Sequence, residues 1–110
     1  MDKQDGSAAF RALGEPVRLR ILQLLASGEV CGCDLLEDLT ISQPTLSHHM
    51  KVLVDSGLVV ARRRAVWVHY ALRSEGFEAL RRTIDELTAP GAKAPEEASG
   101  SCCSRKGRGT

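Results

Sequence analysis

The sequence predicts a small, mainly helical domain carrying one β-hairpin. Three observations lead there. Apolar residues recur at helical spacing in several stretches; residues 58–72 are instead dense in β-branched and aromatic residues; and Gly, Pro and Ser divide the segments. At 110 residues and 43% apolar composition the chain holds one domain's worth of core. A domain of this size often gains stability by pairing. The net charge of +1 excludes a globally basic protein but leaves room for a local basic patch, which is what nucleic acid would meet.

Residues 8–26 read as two helices broken at Gly14, Glu15 and Pro16. The second has Val17, Leu19, Ile21, Leu22, Leu24 and Leu25, dense enough for a buried core helix, and ends at Ser27 and Gly28. Residues 33–39 form a short helix with Leu35, Leu36 and Leu39 inward and Asp34, Glu37 and Asp38 toward water. Thr40, Ile41 and Ser42 make a tight turn. Ser42 caps the next helix and Pro44 sits in its first turn, where the missing N–H costs little. That helix runs to about Ser56, with Gly57 as its stop, and has one apolar stripe: Leu46, Met50, Leu53 and Val54. Residues 58–72 form a hairpin with Arg62, Arg63, Arg64 and Ala65 at its tip. Residues 74–87 form a last amphipathic helix with Phe77, Leu80, Ile84 and Leu87 inward. The expected division is a folded unit over residues 1–88 and a flexible, cysteine-containing tail over 89–110, rich in Pro, Gly, Ala, Ser and charge.

Two short helices joined by a three-residue turn and followed by a hairpin make a winged helix-turn-helix. The outer face of the second helix carries Gln43, Thr45, Ser47, His48 and Lys51, residue types that read base edges and grip phosphates; Gln43, Ser47 and Lys51 fall on one line. Arg62, Arg63 and Arg64 of the wing would contact phosphates or a minor groove. His49 and His69 are expected to be structural. The predicted partner is double-stranded DNA, addressed by a homodimer, since two half-sites a helical turn apart need two reading modules. The first and last helices are the expected pairing surface.

The N-terminal MDKQDGSAAF has no secretory pattern, and no stretch approaches the ~18 apolar residues that span a bilayer. A cytoplasmic protein is expected, with no membrane partner. Its four cysteines are then metal ligands or reactive thiols rather than a disulfide frame. Cys31 and Cys33 stand one residue apart in EVCGCDL (residues 29–35). In a regular helix such residues diverge by ~200°, so two sulfurs on one ion need a non-helical start, and Gly32 supplies freedom for it. The helix N-terminus would favour thiolate, and clamping both sulfurs would disturb the helix that supports the reading helix.

Together these blocks resemble the ArsR/SmtB family of bacterial metal-sensing repressors over residues 8–88. ALGEPVRLRILQLL (residues 12–25) resembles the family's opening helices, and EVCGCDL its arsenic-sensor motif ELCVCDL. SQPTLSHHMKVLVDSGLV (residues 42–59) resembles the reading helix, and RRRAVWVHYAL (residues 62–72) the wing. The resemblance implies a homodimeric repressor, not an enzyme, that leaves its operator when metal binds. It implies trivalent arsenic as inducer, with antimony, cadmium or lead as further soft candidates. The family's third motif cysteine is replaced here by Leu36, and the usual wing glycine by Ala65. The third arsenic ligand would come from solvent, an exogenous thiol, or Cys102 or Cys103; about a dozen tail residues span ~20 Å. A four-thiolate site for cadmium, lead or zinc on Cys31, Cys33, Cys102 and Cys103, and a thiol-redox switch, stand as alternatives. The last helix has no His, so the Asp/His sites that other members build there are not expected.

Overall fold

The computed structural model describes residues 6–89. Cys102 and Cys103, and the expected tail from residue 90 onward, lie outside them. The order is α1 (Ser7–Leu13), α2 (Pro16–Leu25), β1 (Val30–Cys31), α3 (Gly32–Leu39), α4 (Gln43–Asp55), β2 (Val59–Arg64), β3 (Trp67–Leu72) and α5 (Ser74–Leu87). This is the winged helix-turn-helix that the sequence predicts, with one strand more. No described helix is long and apolar enough to cross a membrane.

Local chemistry fixes the helix starts. Glu15 caps α2: its carboxylate accepts from the Arg18 backbone N–H at 2.9 Å, and Pro16 opens the helix. Ser42 caps α4, with Oγ accepting from the Thr45 backbone N–H at 3.3 Å. Between α3 and α4, Thr40 turns the chain at φ 51°, and its N–H closes on the Leu36 carbonyl at 3.0 Å. A β-branched residue in the left-handed region is uncommon, and Thr40 holds the three-residue turn.

The core joins every helix to the sheet. Ile21, Leu22 and Leu25 of α2, Leu35 of α3, and Leu46, Met50 and Leu53 of α4 are buried with Ala9, Ala12, Leu58, Val59 and Leu80. The inward reading of α3 and α4 is matched. Two others are corrected. Leu19 of α2 is 44% exposed, so α2 is buried on one side only. On α5, Leu80 is buried and Phe77 partly so, but Ile84 is 47% and Leu87 75% exposed, because the far end of α5 runs past the core of a single chain. Its near end is tight: a Cβ on Gly76 would overlap the Gly57 carbonyl just after α4.

The sheet is antiparallel in the order β1-β3-β2. In the hairpin Val59 faces Leu72 and Arg64 faces Trp67, leaving Ala65 and Val66 as a two-residue turn. The three arginines are therefore on β2 rather than at the tip. Ala65, at φ 59°, takes a position usually given to Gly in two-residue hairpin turns. The strand that the sequence does not announce, β1, pairs Val30 with Tyr70 and Cys31 with His69.

Candidate nucleic-acid interface and thiol pair

The reading helix α4 presents Gln43, Thr45, Ser47, His48 and Lys51 to solvent. Gln43 Nε2 donates to Ser47 Oγ at 3.3 Å, and Lys51 Nζ pairs with Asp55 at 3.2 Å. These exposed contacts cost little to exchange for base edges or phosphates. His49, on the flank, has a different role. Its Nδ1 lies 3.2 Å from the Arg18 guanidinium, which has donors only, so Nδ1 accepts. Arg18 Nε also donates to the Ala12 carbonyl at 2.9 Å. One guanidinium thus joins α1, α2 and the reading helix, which keeps His49 structural.

On the wing, strand alternation puts Arg62 and Arg64 on one face and Arg63 on the other. Neither Arg62 nor Arg63 makes an ion pair with a described residue. Arg64 does: Nε donates to Glu29 Oε2 and Nη2 to Glu29 Oε1, both at 3.0 Å. This bond holds the Glu29 carboxyl below its ordinary pKa and raises that of Arg64. No local sequence pattern marks Glu29, because its partner is 35 residues away.

Cys31 and Cys33 meet at the junction of β1 and α3. Cys31 is extended (φ −70°, ψ 142°) and is the N-cap of α3, its Sγ accepting from the Cys33 backbone N–H at 3.4 Å. The two sulfurs are 2.8 Å apart, and both cysteines are free. They converge because Cys31 lies outside the helix; the freedom of Gly32 is not what allows it, since Gly32 has no left-handed φ. A Cβ at Gly32 would instead come within 3.4 Å of the Tyr70 ring. The Cys33 thiol is pushed up, first by its hydrogen bond to the Cys31 sulfur, then by burial and by the charge of Cys31. The neighbouring sulfur outweighs the one lowering contact, the backbone N–H of Asp34.

Cys33 also lines a cleft of about 260 Å³ with Leu36 of α3, Gln43 and Ser47 of α4, and Trp67 and Tyr70 of β3. Thiol, reading helix and wing thus share one set of walls. Among the described residues no three His, Cys, Asp or Glu side chains gather to hold a metal; Cys31 and Cys33 stand as a pair of sulfurs.

Comparison with known proteins agrees with this architecture. The sequence model of the bacterial regulatory protein, arsR family, matches residues 15–60, which include α2, α3 and α4. An arsenical resistance operon repressor from Staphylococcus xylosus is 45% identical over 85 residues, 77% of this chain and 82% of that protein. HlyU from Vibrio cholerae superposes with a TM-score of 0.62 at 32% identity, over 73% of this chain and 87% of that one. The crystal structure of a possible transcriptional regulator for arsenical resistance gives 0.65 at 34% identity, over 70% and 80%. These similarities, joined to the helix-turn-helix and wing, establish that the chain belongs to the arsR family of bacterial regulatory proteins: it is a DNA-binding transcriptional repressor and not an enzyme.

Proposed function

We propose that the chain represses an operator as a cytoplasmic homodimer and releases it when trivalent arsenic binds Cys31 and Cys33. The observation that carries this reading is the 2.8 Å approach of the two sulfurs at the start of α3. Two soft donors so placed suit a thiophilic ion. The kinship with an arsenical resistance repressor favours arsenic among such ions. Cys102 or Cys103, or solvent, would complete a three-coordinate site.

The coupling follows from what Cys31 already does. Its sulfur is the capping acceptor of α3. Engaging that sulfur elsewhere withdraws the cap, and caps sustain the first turn of a helix. α3 packs through Leu35 into the core that also holds Leu46 and Met50 of α4, so a shift at its start reaches the reading helix. A few kcal/mol of difference between the two states is enough to empty an operator. Gln43, Thr45, Ser47, His48 and Lys51 would read the major groove, and wing arginines would hold phosphates. Dimerisation would use α1 and α5, where Phe10, Ile84 and Leu87 lie exposed.

Operator-DNA anisotropy tests this, with reduced protein titrated by arsenite, cadmium and zinc in turn. Arsenite is expected to release DNA from the wild type and from Cys102→Ser/Cys103→Ser if solvent completes the site, and to fail with Cys31→Ser/Cys33→Ser. An undiminished arsenite response in Cys31→Ser/Cys33→Ser would overturn the reading. A response to cadmium or zinc alone would replace arsenic by the four-thiolate alternative.

A further inference from the structure

Glu29 and Arg64 form the one bidentate ion pair among the described side chains, and it spans the sheet from the residue before β1 to the last residue of β2. An arginine grips a phosphate through the same fork of two parallel N–H donors. The Nε–Nη2 edge of Arg64 is already filled by a carboxylate of matching shape, which also offsets its charge. We propose that Glu29 is a positioning residue of the wing: it occupies Arg64 in place of a DNA phosphate, so that Arg62 and Arg63 alone supply the wing's phosphate contacts. The inference rests on the reading of the wing as a DNA contact.

Three observations support it. Arg62 and Arg63 are exposed and make no ion pair with a described residue, whereas Arg64 is engaged at 3.0 Å through both Nε and Nη2. Arg64 ends β2, and β3 resumes after only Ala65 and Val66, so the hairpin turn limits how far its backbone can shift toward a ligand. The carboxylate is itself anchored: Glu29 precedes a strand whose Val30 and Cys31 are paired with Tyr70 and His69 of β3. The pair therefore fastens β2, the first strand of the wing, to the segment that bears Cys31. The orientation of the wing and the position of the thiol pair are joined by one side-chain bond as well as by the sheet.

The expected consequence is a count. Each phosphate that a cationic side chain neutralises contributes about −0.9 to the slope of log K against log salt on duplex DNA. Glu29→Gln keeps the shape of the side chain and removes its charge. It should free Arg64 and steepen the slope by about one such contact, with tighter binding at low salt. Arg64→Ala alone should leave the slope as it is, and Glu29→Gln/Arg64→Ala should return it to the wild-type value. None of the variants touches the buried core, and circular dichroism checks their fold. Two results overturn the inference: an unchanged slope in Glu29→Gln, or a slope lowered by about one contact in Arg64→Ala, which would mean that Arg64 already leaves Glu29 for DNA. The underlying reading of the wing fails separately, if Arg62→Ala/Arg63→Ala leaves the slope at the wild-type value.

Discussion

Arg18 and Glu15 show how single side chains hold the frame of the reading helix. Arg18 satisfies the Ala12 carbonyl at the end of α1 and His49 on α4, and its own N–H is capped by Glu15. That N–H bond is the main cause of the lowered Glu15 pKa, and burial opposes it only in part. A carboxyl whose pKa is lower folded than unfolded contributes stability above its unfolded pKa, and loses it as pH falls through the folded value. Wild type should thus melt above Glu15→Gln at neutral pH, with the gap closing as pH drops through the acidic range where Glu15 protonates. Thermal melts of both proteins across that range check the sign; a gap that widens toward acid would refute it. The cap itself was half legible: the break at Gly14, Glu15 and Pro16 is plain in the sequence, but glutamate is not a usual capping residue, so its role emerges only with the Arg18 backbone in place.

At the scale of elements, the hairpin turn carries the clearest local conflict. Ala65 holds φ 59° at the first of two turn residues. The left-handed region costs an L-residue roughly 1–2 kcal/mol that Gly does not pay, partly offset by the larger chain entropy that Gly loses on folding. Ala65→Gly should therefore stabilise the domain by about 0.5–1 kcal/mol, read as a shift of the denaturation midpoint at unchanged slope. A lower midpoint would mean that the turn relaxes with alanine in place. The departure at Ala65 was visible in the sequence, and so were the helices and hairpin, because each repeats its signal over several residues. β1 was not: two residues carry no period, and their partners on β3 lie far along the chain. The convergence of Cys31 and Cys33 was legible as a requirement, yet its cause was misplaced. Gly32 attracts attention as the flexible residue, whereas the extended conformation of Cys31 comes from its place in a strand that long-range pairing creates. Glu29 was hidden for the same reason.

At the scale of the whole molecule, the described residues leave an apolar face without a partner in one chain. Ile84 and Leu87 continue the stripe of Phe77 and Leu80 along α5 but stand 47% and 75% exposed, and Phe10 of α1 is 37% exposed. The pattern reads as a core helix from sequence because periodicity records that a face is apolar, not which chain covers it. A second copy of the chain is the partner that the proposed repressor needs, since half-sites on DNA recur at one helical turn, about 34 Å. Ile84→Glu/Leu87→Glu places charge on this face without touching Leu80 or the rest of the core. By sedimentation the wild type should be a dimer and the variant a monomer with unaltered helicity. The loss on DNA should exceed the loss of any single contact. Two linked reading helices make the second binding event intramolecular, so separating them should weaken operator binding by at least ~100-fold. Binding to a single half-site should change little, because Gln43, Ser47 and Lys51 remain in line on α4. A variant that stays dimeric would move the interface elsewhere, and a monomer that holds the full operator as tightly as the wild type would remove the need for pairing.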